Sequence, residues 1–170
     1  MDEIINKVKN SSLIQIDLAE FKPKQEIIEL DLKEQLWQGL ALKEKDFRQY
    51  ISENNWGEFE GKVVAVHCSA DAIIPTWAYM LVVSKLAENN ILAFTGKKSF
   101  AMQELIKKAI DEYKVQDIEN GKFIIKGCAD IPDPAYAMSE LTKKLIPVAS
   151  SIMYGEPCST VPVYKRKKVR

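Results

Sequence analysis

The chain has 170 residues, 46% of them apolar and 28% charged, which is enough for one domain with a buried core. Its 24 basic and 24 acidic residues cancel, so no global field draws it to nucleic acid or to an anionic membrane. The opening Met-Asp-Glu-Ile-Ile-Asn-Lys lacks the pattern of a signal peptide, and the longest apolar run, 72–83, is broken by Pro75 and Thr76 and falls short of the roughly 20 residues of a membrane span. A cytoplasmic protein without a membrane segment is expected.

Residues 12–18 and 27–32 alternate apolar and polar, the pattern of half-buried strands. Lys22-Pro23-Lys24 makes a plausible turn between them, so the two are expected as a hairpin or an edge pair. Residues 36–40 are short and ambiguous. From Lys43 to Ile51 the apolar Phe47, Tyr50 and Ile51 fall at helical spacing. Val63–His67 belongs to a β-branched run that reads as a buried strand over 62–67, and Pro75 opens a helix over 75–88. That helix is apolar nearly all round. Its outer face suits a second copy of the chain, and burial within its own domain explains it equally well.

Asn89-Asn90 ends the helix, and residues 91–94 form a short strand. Ser99 is placed to cap a helix whose stripe is Met102, Leu105, Ile106, Ala109, Ile110 and Tyr113. Asn120-Gly121 signals a turn, 122–126 a strand, and Pro134 starts a helix with Met138, Leu141 and Leu145 on one face. Residues 151–170 carry Pro157 and Pro162 and end in basic residues that read as a solvated tail. This segment has little regular character and is expected to pack back on the strand-end edge. Strands alternating with helices predict an α/β fold: a single domain over 1–170, a largely parallel sheet flanked by helices, and the N-terminal strand pair at its edge.

Ligands of open α/β sheets gather where strands end and helices begin, which draws attention to His67-Cys68-Ser69-Ala70-Asp71. The turn has an echo in Gly127-Cys128-Ala129-Asp130. In both, an apolar strand leads to a Cys, an Ala-Asp pair, a proline and an Ala-Tyr pair. A cysteine just before a helix start lies in the positive end of the helix dipole, which favours the thiolate. Asp71 and Asp130 suit the helix caps best, with hard-cation ligation as the alternative.

Three cysteines are an odd number in a chain without a secretion signal, so reduced thiols are expected rather than a disulfide framework. If the segment around Cys158 folds over the strand ends, Cys68, Cys128 and Cys158 form a set. His67, Asp71 or Asp130 would complete the shell of a zinc ion or an iron–sulfur cluster. Against this, free cysteine is often simply packed, and no C-x-x-C pair is present. His67 also alternates with Cys68 along the strand, so their side chains should point to opposite faces.

Residues 67–80, 126–130 and 151–164, together with Gln38-Gly39-Leu40 and Glu44-Lys45-Asp46-Phe47-Arg48, resemble an uncharacterised bacterial family, domain-of-unknown-function family 2480. The resemblance spans the chain and implies a small cytosolic protein, with no reaction to carry over. The genes of that family often lie near those of the sulfur-mobilising iron–sulfur assembly system. This implies iron, sulfur or cluster handling, with iron–sulfur assembly proteins as partners.

Three functions compete: a metal- or cluster-binding accessory protein, a thiolate-dependent enzyme of the sulfur-transfer type, and a structural or dimerising module with packed cysteines. A zinc deaminase does not fit, because neither H-x-E nor P-C-x-x-C is present. No glycine-rich phosphate loop occurs, so no nucleotide cofactor is expected.

Overall fold

A computed structural model describes residues 13–115, 118–127 and 130–167. Seven strands and four helices follow in the order β1 Leu13–Asp17, β2 Ile27–Asp31, α1 Glu44–Glu53, β3 Val63–His67, α2 Thr76–Glu88, β4 Leu92–Thr95, α3 Lys98–Glu112, β5 Gly121–Lys126, α4 Pro134–Leu145, β6 Ala149–Glu156 and β7 Ser159–Lys165. The α/β expectation holds, but the strands form two sheets. One has the order β2-β3-β4, all parallel. The other has the order β1-β5-β6-β7, parallel except for the antiparallel β7. The chain divides into two compact units, Pro23–Glu104 and the combination of Met1–Lys22 with Leu105–Arg170.

In the Pro23–Glu104 unit, Val63, Val64, Ala65 and Val66 of β3 are fully buried. Phe47 of α1 and Ala78, Val82 and Leu86 of α2 join Val64 and Val66 in one apolar cluster, so both helices cover the same face of the sheet. Phe47 meets Trp77 edge-on at 5.8 Å. Glu44 and Asp46 in the first turn of α1 complement its dipole. Each fully buried Val or Leu contributes roughly 1.5–3 kcal/mol of transfer free energy.

The other unit repeats this plan. Val63 pairs with Leu92 and Lys122 with Ser151, so β3–β4 and β5–β6 match at a fixed step of 59 residues. At that step Phe47, Ala78, Val82 and Leu86 correspond to Ile106, Ala137, Leu141 and Leu145, all buried. Pro75 and Pro134 occupy corresponding positions at the starts of α2 and α4. Gly61 and Asn120 share a positive φ, as do Gly96 and Gly155. The first strands match as well. Leu-Ile-Gln-Ile-Asp-Leu-Ala-Glu at 13–20 parallels Ile-Ile-Glu-Leu-Asp-Leu-Lys-Glu at 27–34. Each then runs into a 3-10 turn, Leu18–Phe21 or Leu32–Gln35, capped by Asp17 or Asp31. The duplication is intercalated, because both first strands precede α1.

Several expectations change. β1 and β2 do not form a hairpin; each lies at the edge of its own sheet, parallel to β5 and β3 respectively. The C-terminal segment is a β-hairpin rather than an irregular strap, since Ile152, Tyr154, Val161, Val163 and Tyr164 supply the β-branched and aromatic residues that strands favour. Pro162 is tolerated because β7 is an edge strand and the ladder shifts register beside it, between Ile152 and Met153. Ser99 lies inside α3 and does not cap it. Among the described residues, no helix is long and apolar enough to cross a membrane.

Candidate functional site

The carboxyl ends of β2 and β3 bring Glu29, Asp31, His67 and Ser69 together in the Pro23–Glu104 unit. Asp31 ends β2, and its Oδ1 accepts the backbone N–H of Lys33 and of Ser69, each at 3.0 Å. Burial pushes the Asp31 carboxyl up. The hydrogen bonds from the Ser69 hydroxyl and backbone and from the Lys33 N–H, with His67 nearby, outweigh it and bring the pKa down to about 2. His67 lies opposite Asp31 in the ladder. Its Nε2 is 3.7 Å from Glu29 Oε1, which also accepts the Lys98 N–H at 3.1 Å. Nδ1 of His67 is buried and has no hydrogen-bond partner among the described residues.

Cys68 takes the other side, as strand alternation predicts. It is half-buried against the apolar cluster under α1 and α2, and its thiol donates to the Ala70 carbonyl at 3.8 Å. Tyr79 on α2 belongs to the same neighbourhood. Burial raises its pKa, and Cys68 and Asp31 add to the effect. The thiol therefore faces apolar packing and a phenol, whereas the imidazole faces carboxylates. No Cys68–His67 dyad forms.

Asp71 is exposed, and α2 follows Pro75 at its N-cap position without a side-chain cap. Asp130, at φ +57, is likewise exposed and lies 3.5 Å from Lys22 Nζ. The cap of α4 is Asp133, whose Oδ1 accepts the Tyr136 N–H at 2.9 Å. The cap expected of Asp71 and Asp130 is thus corrected. The N-cap position lies further on in both cases: in α4 it is Asp133, directly before Pro134, and in α2 it is Pro75, which has no side-chain acceptor.

Cys158 is exposed in the two-residue turn between β6 and β7, at the end of the sheet where the parallel β5 and β6 finish. An ion pair between Lys126 and Glu156, at 3.7 Å, ties those two strand ends together. Cys128 lies outside the described residues. Ladder register also corrects the echo. His67 faces Asp31 as Lys126 faces Asp17, so Cys68 corresponds to Gly127, and Ser69, one position on, to Cys128. The cysteines of the two turns are offset by one position. Gly127, at φ +83, has no side chain for a further reason: a Cβ there would stand 2.3 Å from Asp17 Oδ1. Among the described residues, no three His, Cys, Asp or Glu side chains are grouped closely enough to hold a metal ion.

Asp31, Glu29 and Tyr79 were not singled out by sequence reasoning. The signal was present in the repeated strand-Asp-Leu-x-Glu pattern at 13–20 and 27–34, whose aspartates end both edge strands.

Residues 2–166 match the family described as "Protein of unknown function (DUF2480)". The chain belongs to the DUF2480 family. The match takes in both units, so the intercalated duplication lies within the region that defines a DUF2480 protein. No curated protein and no solved structure matches the chain.

Proposed function

We propose that this DUF2480 protein is a thiol-bearing accessory protein that handles a metal ion or an iron–sulfur cluster, with Cys158 and Cys128 as its working thiols and iron–sulfur assembly proteins as its partners. The observation that carries this reading is the placement of Cys158. It stands exposed on a tight turn at the carboxyl ends of β5 and β6, open to an incoming metal or cluster. Cys128 falls in the same stretch, Leu105–Arg170, two residues beyond the end of β5. The described donors do not make a complete ligand set, so the reading rests on soft thiolate chemistry and not on coordination geometry. Metal analysis of full-length protein purified without oxygen tests it. Zinc or iron that falls in Cys158→Ala and Cys128→Ala supports the proposal. Protein free of both metals, even after they are supplied, overturns it.

A second reading, a structural or dimerising module, is favoured by Cys68, whose thiol is spent on packing and on the Ala70 carbonyl. A thiolate enzyme built on Cys68 would need a base other than His67.

A further inference from the structure

We propose that the chain forms a twofold homodimer in which β4 pairs antiparallel with β4 of a second copy, and the outer flank of α2 packs on its counterpart. The two halves of the duplication serve as controls for each other. β6 corresponds to β4, and its outer edge is closed by β7 from Ser151↔Lys165 to Glu156↔Ser159. In the sheet β2-β3-β4 the corresponding outer edge of β4 has no partner strand among the described residues. This position in the fold therefore accepts an antiparallel strand, and only one half supplies its own.

The flanking helices differ accordingly. At the step of 59, Met80 and Val83 of α2 correspond to Ser139 and Thr142 of α4. In the closed half, Met138, Ser139 and Thr142 of α4 line a cavity of about 370 Å³ together with Met153 and Tyr154 of β6, and β7 adds Val163 to its lining. In the open half, Met80, Val83 and Ala87 of α2, with Thr76, Ser84 and Thr95 beside them, line a groove of about 460 Å³ to which no further strand contributes among the described residues. At these two positions the helix beside the closed edge is polar, and the helix beside the open edge is apolar. Met80 is 66% exposed and Leu92 of β4 is 42% exposed. An open strand edge beside exposed apolar side chains is a template for association.

A second copy fits this face for three reasons. A twofold axis beside the outer edge of β4, perpendicular to the sheet, gives the antiparallel pairing that β6 already makes with β7. It brings the two α2 helices side by side with opposed dipoles. It also sets the Asn89-Asn90 end of one strand against the Lys97-Lys98 end of the other, so that like charges do not meet.

Sedimentation or light scattering of the full-length protein in the micromolar range is the test. The expected result is twice the 19.3 kDa chain mass. Met80→Glu should weaken the dimer by roughly tenfold or more, about 1.4 kcal/mol. Ser139→Glu, at the corresponding position of the closed half, should leave it unchanged. Both positions are exposed, and circular dichroism checks that each variant is folded. A monomeric wild type, or a dimer that Met80→Glu does not weaken, overturns the proposal.

Discussion

Asp31→Asn isolates the charge of the carboxylate that joins β2 to the turn after β3, because the amide oxygen can still accept the Lys33 and Ser69 N–H groups. Lowering a carboxyl from 3.8 to about 2 corresponds to roughly 2.4 kcal/mol, at about 1.36 kcal/mol per pKa unit. The side chain is 22% exposed, and solvent screening reduces this to ~1–2 kcal/mol. The folded-state pKa is the depressed one. The stabilisation is therefore complete above the unfolded value of 3.8 and is lost as pH falls through about 2. Urea unfolding of wild type and variant should show a gap of ~1–2 kcal/mol near neutral pH that has fallen to roughly half by about pH 3. A gap that stays constant across that range would mean that the carboxylate is not held by these hydrogen bonds.

Other outcomes follow from the same geometry. Gly127→Ala should destabilise the protein by at least ~2 kcal/mol, against about 1 kcal/mol for Gly61→Ala. Both glycines have positive φ, but only a Cβ at 127 meets Asp17, while Gly61 has open space. Equal costs in urea titrations would contradict the close approach. Iodoacetamide labelling followed by mass spectrometry should modify the exposed Cys158 well ahead of the half-buried Cys68. The reverse order would show that Cys68 is an activated thiol.

Periodicity made most elements legible. The strand at Val63–His67, the helix opened by Pro75 and the Asn120-Gly121 turn stand where their residues place them. Pairing was not legible, because 13–17 and 27–31 carry nearly the same alternation and local pattern cannot tell which distant strand each joins. The C-terminal hairpin was hidden by Pro157, Pro162 and Gly155, which mimic a loop when read locally. In the fold they mark a turn, an edge strand and a close approach to the Ser159 carbonyl. At the site, alternation separated Cys68 from His67 correctly. Asp31 escaped notice because its importance lies in a hydrogen bond to Ser69, 38 residues away.

The intercalated order also sets how the chain must fold. Pairing β2 with β3 closes the loop between Asp31 and Val63, whereas pairing β1 with β5 closes the loop between Asp17 and Gly121, roughly three times as long. Loop-closure entropy grows with the logarithm of length, so the longer closure costs about 1 kcal/mol more from an unstructured chain. Most of its intervening residues belong to the Pro23–Glu104 unit, and prior folding of that unit shortens the effective loop. The contiguous unit should therefore form first and the unit containing β1 second. In pulsed hydrogen exchange during refolding, the amides of β2 and β3 should gain protection before those of β1 and β5. Simultaneous protection of all four strands would show that the two halves fold as one cooperative unit, in which case closing the longer loop is not the later step.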